Sequence, residues 1–116
     1  MILRLAVALA AFVVLAPVAR ASSAPVSVTV DRSEISTAIG KKFTFHSTIT
    51  NHDTTPATGL VAHLNVLSLR PGVYVDPEDW SSHRTRYLPT IPAGGSLPIT
   101  WTVQAVNSGS IGIYVA

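Results

Sequence analysis

The chain predicts an all-β sandwich or barrel placed behind an export signal. Three observations carry this. Apolar residues alternate with polar ones in successive short stretches after residue 25, clusters of turn residues separate those stretches, and helical periodicity is almost absent from them. Alternation with period two puts every second side chain on one face of an extended strand, so each stretch can bury one face and wet the other.

The first twenty-one residues differ from all that follows. Arg4 supplies a basic start, Leu5 to Ala16 is an uncharged apolar run, and Pro17-Val18-Ala19-Arg20-Ala21 closes it with an Ala-x-Ala ending. This is the layout of a secretory signal peptide, with cleavage expected after Ala21. A spanning helix needs about 20 apolar residues, and the run is shorter; an uncleaved anchor is the alternative. The expected organisation is a signal over 1–21 and one domain over 22–116.

Strands are expected in order along that domain. Val26, Val28 and Val30 alternate with Ser27 and Thr29, and Asp31-Arg32-Ser33 ends the run. Phe43, Phe45, Ser47 and Ile49 alternate with Thr44, His46, Thr48 and Thr50, where β-branched threonines favour extended backbone. Asn51 to Pro56 reads as a loop. Leu60, Ala62, Leu64 and Val66 form the next inward face, closed by Arg70-Pro71-Gly72, and Val73-Tyr74-Val75 is a short extended piece. Asp76-Pro77-Glu78-Asp79-Trp80 breaks the pattern. An N-cap residue, a proline at the first helical position and two acids in the first turn predict one helical turn over Pro77–Ser82. After the turn at Ile91 to Ser96, Leu97, Ile99, Trp101 and Val103 face inward; after Asn107-Ser108-Gly109, Ile111, Ile113 and Val115 begin a further strand. Phe43, Phe45, Ile49, Leu60, Leu64, Val66, Leu97, Ile99, Trp101, Val103, Ile111 and Ile113 are expected to form one core.

Composition excludes several functions. The formal charge of +2 belongs to Arg4 and Arg20; the remaining six basic and six acidic residues balance, leaving no basic patch for nucleic acid. With no cysteine, the domain has no disulfides, thiol catalysis or thiolate metal sites. Stability has to come from apolar burial and strand pairing.

Phe43 to Asn51, followed by Pro56-Ala57-Thr58-Gly59-Leu60, resembles the second and third strands of bacterial surface immunoglobulin-like domains, the group that includes the CARDB, NEW3 and DUF11 families. Ile91-Pro92-Ala93-Gly94-Gly95-Ser96 is similar to the turn those families place before their fifth strand. The resemblance covers residues 26 to 116 and implies an immunoglobulin-like Greek-key β-sandwich. Ser110 to Ala116 would then be the sixth strand, with the closing strand missing and an open edge free to pair with further C-terminal sequence or another chain. The turn at Val75 to Trp80 lies outside that general pattern and points to a narrower subfamily, an uncharacterised exported one. Calcium-dependent members carry clustered acids in their loops; here the acids are scattered, and that property is not implied.

No catalytic, cofactor-binding or metal-binding residues are expected. His46 and His63 fall on strands that such a sandwich assigns to opposite sheets, and no HxH, HxxxH or HExxH spacing exists. A Gly-x-Ser-x-Gly elbow is absent, and the adjacent Glu78 and Asp79 are explained by the helix start. Trp80 and Tyr87 remain as candidate ligand or partner contacts; the competing expectation is that Trp80 seals the sandwich edge with Tyr87 nearby, while Trp101 belongs to the core. Tyr114 is a candidate for a tyrosine that ties down a strand corner. The expected role is an exported, non-catalytic module, secreted or at the cell surface. Its function would be structural or adhesive, with membrane anchorage through sequence beyond Ala116 as one form. The alternative is an accessory carbohydrate-binding module that uses exposed aromatics.

Overall fold

The computed structural model describes residues 24–116; the signal segment lies outside the described residues. Six strands and one helical turn follow in order: β1 (Val26–Val30), β2 (Lys42–Asn51), β3 (Val61–Ser68), α1 (Pro77–Trp80), β4 (Thr85–Tyr87), β5 (Ser96–Gln104) and β6 (Ile111–Val115). They form two three-stranded antiparallel sheets, ordered β1-β2-β5 and β4-β3-β6. The first, second and fifth strands share one sheet and the third and sixth the other. That is the division immunoglobulin-like sandwiches use, and the fold is an all-β sandwich.

Period-two alternation decides what fills the space between the sheets. Phe45, Ile49, Ile99, Trp101 and Val103 come from the first sheet and Ala62, Leu64 and Val66 from the second. Phe43, Leu60, Leu97, Ile111 and Ile113 pack against this core but stay half-buried. The register places Phe45 opposite Trp101 on neighbouring strands, an aromatic cross-strand pair of the kind that adds to sheet stability. Ser47, on the inward parity, accepts a hydrogen bond from Trp101 Nε1 at 2.8 Å with both groups buried, so the indole N–H is satisfied.

Three expectations need correction. The fourth strand is Thr85–Tyr87, paired with Val61–His63; Val73–Val75 pairs with nothing and contributes only the buried side chain of Val75. The helical turn is shorter than expected. Asp76 caps it by accepting from the Glu78 N–H at 3.1 Å, and it ends where Ser81, already extended, donates its N–H to Pro77 O. Finally, Val75, Trp80, Ile91 and Ala105 join the core from loops and the helical turn. Ala105 continues the inward parity of β5 one step past its end, whereas Val75, Trp80 and Ile91 are placed by segments too short or irregular to display a period.

The two turn motifs that carry the resemblance are bonded to each other. Ala57 and Ile91 exchange both main-chain hydrogen bonds, at 2.9 and 3.0 Å. The buried Asn51 amide donates to the carbonyls of Thr55, Ile91 and Pro92, and its Oδ1 accepts from the Asp53 N–H. One side chain thus joins the β2–β3 loop to the β4–β5 loop and satisfies main-chain groups that burial would otherwise orphan. The Gly95 N–H donates to Pro92 O, with Gly94 between them at φ +69°, the conformation that the third position of a type II turn requires.

Candidate interaction surfaces

Alternation also decides what the two sheets show to solvent, and they show different chemistry. On the sheet β1-β2-β5 the outward positions are chiefly hydroxyls. Thr44 lies opposite Thr102, His46 opposite Thr100 and Thr48 opposite Thr29. Thr50 lies opposite Ser96, its hydroxyl 3.0 Å from the serine's. Such a surface is well solvated and stiff at χ1.

The outward face of β4-β3-β6 has no acidic residue, lysine or arginine. Along β3 it presents Val61, His63, Asn65 and Leu67; Tyr87 of β4 flanks Val61 and Tyr114 of β6 flanks Asn65. Tyr87 is 84 % exposed. Asn65 donates to the Tyr114 hydroxyl at 2.8 Å, which holds that ring on the sheet surface. Tyr114 therefore braces a neighbouring strand on the outer face. Gly112 lies beneath Leu67 and Leu69, whose side chains would stand 3.2–3.5 Å from any added Cβ. Two tyrosines and three exposed aliphatic residues share this uncharged side of the molecule.

Trp80 lies elsewhere. The residue is 4 % exposed and belongs to the core, and its Nε1 donates to Asn107 Oδ1 on the β5–β6 loop at 3.2 Å. Ser81 adds a bond from its hydroxyl to Thr102 O. The helical turn is thereby fastened to β5 and to the loop after it. Of the two candidate aromatic contacts, Trp80 is a nearly buried core residue, and Tyr87 is exposed. Tyr87 is not part of the seal around Trp80, because the odd parity of β4 turns it outward while Arg86 points in.

Sequence reasoning gave Arg86 no role. It sits opposite the buried Ala62, and its guanidinium carbon lies 5.4 Å from the Trp101 ring centroid while Nη2 donates to Thr100 O. The small Ala62 side chain leaves room for it, and a cation over an indole face is favourable. Its Nε is buried without a partner. An arginine on the inward parity of a three-residue strand was the only available signal.

The histidines are dispersed. His46 lies on β2 and His63 on β3, in different sheets. His52 Nε2 contacts Ser27 Oγ at 2.7 Å and His63 Nδ1 contacts Thr85 Oγ1 at 3.1 Å. Among the described residues no three His, Asp or Glu side chains gather as a metal site. Asp31 accepts from both the main-chain N–H and the ring Nδ1 of His46, at 2.8 and 2.9 Å. Those hydrogen bonds, the main-chain one first, hold its carboxyl below the usual carboxylate range. The pair ties the end of β1 to β2.

No family model, curated protein or solved structure matches the chain.

Proposed function

We propose that this chain is an exported, non-catalytic immunoglobulin-like module of the cell envelope that acts by adhesion, using the outward face of β4-β3-β6. The uncharged face itself is the observation that carries this reading. A sheet face needs only polar residues to stay wet, as the hydroxyl-covered opposite face illustrates. Tyr87, Tyr114, Val61 and Leu67 instead leave apolar surface in water. Aromatic side chains with few charges are what the centre of a protein interface uses. The signal-like layout of residues 1–21 supports the envelope as the compartment.

The test is to export the chain carrying Tyr87→Ala and Tyr114→Ala together and to measure its retention on isolated envelopes. Loss of retention is expected with a melting temperature only slightly lowered, by the missing Asn65–Tyr114 hydrogen bond, and retention equal to the unaltered chain would refute the reading. The exposure of Tyr87 favours a second reading, in which the flat face stacks on sugar rings. Retention that soluble polysaccharide displaces, and that protease treatment of the envelope leaves intact, would select it.

A further inference from the structure

We infer that the molecule captures an extended, uncharged strand from another polypeptide in the cleft between β6 and the segment 32–39, a binding mode distinct from adhesion through the outer face. Main-chain hydrogen bonding establishes the first wall. Ala116 and His63 exchange both bonds at 2.8 Å, and Leu69 donates to Ser110 O, so the even-numbered residues of β6 bond to β3. Main-chain groups alternate sides along a strand. Those of Ile111, Ile113 and Val115 therefore point to the opposite edge, where β6 ends the sheet among the described residues. No charge or proline interrupts that edge, although such residues are the usual protection against strand addition.

The second wall is the chain between β1 and β2. It is pinned at one end by Asp31 N–H to His46 O and at the other by Gly40 N–H to Ala105 O. Between those pins residues 32–37 belong to no strand. The cleft between the walls measures about 740 Å³, and Ile35, Ile39, Phe43, Leu69, Ile111 and Ile113 supply its apolar lining. Further evidence comes from β1. Val28 and Val30 have inward parity, opposite Ile49 and Ser47, yet they are 37 % and 48 % exposed because nothing covers them from the second sheet.

These features define the occupant. Unpaired N–H and C=O groups at every second residue call for an extended backbone, and the apolar lining calls for apolar side chains at alternate positions. The charged lining is one arginine, Arg32, and one glutamate, Glu34, so a neutral segment is the electrostatic match. The entrant also has to be free of any covering sheet, since residues 32–39 form the other wall of the cleft it would enter. The β6 strand of a second copy fails that condition, because its Ile111 and Ile113 already lie against their own core. A separate polypeptide with a free extended segment meets it.

A seven-residue synthetic peptide, Ser-Ile-Gly-Ile-Tyr-Val-Ala, serves as the probe, because it has the alternation of β6 without a sheet behind it. Added to the isotope-labelled chain, it should slow amide exchange at Ile111, Ile113 and Val115 by at least about tenfold, while exchange at Gly112 and Tyr114 changes little. Two N-methylated versions supply the decisive control, one blocked at its Ile and Val amides and the other at its Gly, Tyr and Ala amides. Only one set can face β6, so one version should lose uptake and the other keep it. Uptake indifferent to the methylation pattern would mean apolar adsorption and overturn the inference. So would slow exchange at the three amides before peptide is added, together with a dimer in the ultracentrifuge, because a second copy would then already hold the edge.

Discussion

The two long edges of the first sheet face the same interior and are finished differently. At the β5 edge, Ile99, Trp101 and Val103 are all buried, and Trp101 has no exposed surface. Arg86 reaches across from β4 to lie on the indole and bond Thr100 O, and the Ser81 hydroxyl bonds Thr102 O beside it. At the β1 edge, Val28 and Val30 are exposed, and Val30 lines a cleft. The difference teaches that inward parity is necessary for burial and insufficient for it: a side chain is buried only where the opposite sheet supplies an element at the same lateral position. Arg86 supplies one side, while β6 stops short of the other.

The largest test of this comparison pairs one residue from each edge. Trp101→Ala should cost about 3–5 kcal/mol in denaturant unfolding, as loss of a buried aromatic does, while Val30→Ala should stay within about 0.5 kcal/mol. Losses of similar size would mean that the β1 edge is covered in solution. Next is Ser47→Ala, which leaves the buried Trp101 N–H without its acceptor and should cost about 1–3 kcal/mol. Full stability of this variant would show that the indole finds another partner.

Arg86→Ala should cost about 1 kcal/mol, from lost cover and the cation–aromatic contact, whereas Arg86→Met should recover most of it by keeping an apolar stem over the ring. A failure of methionine to rescue would place the effect in the charge and not in the cover. The smallest effect is electrostatic. Because the Asp31 carboxyl has a lowered pKa when folded, its bonds to His46 contribute fully above the ordinary carboxylate pKa of about 3.9 and are lost as pH falls through the lowered value. Asp31→Asn should remove that slight acid sensitivity of the β1–β2 junction, read from the His46 amide signal across an acid titration. An identical titration in the variant would assign the change to another group.

Much of this was legible from local pattern. The alternation of Phe43 to Thr50 and of Leu97 to Gln104 predicts both the strands and the faces they bury, because a strand's two faces differ only by residue parity. The helix start at Asp76-Pro77 was legible for a similar reason, since its capping bond spans two residues. The strand Thr85–Tyr87 was not. Three residues are too few to display a period, and only Val61–His63 across the sheet makes them a strand. Trp80 illustrates the same limit: its side chain alone is equally suited to stacking on a ligand or filling a core, and Asn107, on a distant loop, decides for the core.

What the amino-acid sequence determined by itself was therefore the fold class, the inward and outward faces of the longer strands and the helix start, all set by interactions within a few residues. Tertiary structure alone decided which lateral edge is closed, that Asn51 bonds a carbonyl 40 residues further along the chain and so joins two loops, and that an uncharged face with Tyr87 and Tyr114 sits beside a strand edge unpaired among the described residues. Those outcomes depend on which strands become neighbours. That choice is made by burial summed over the whole core, and a chain read one stretch at a time does not display it.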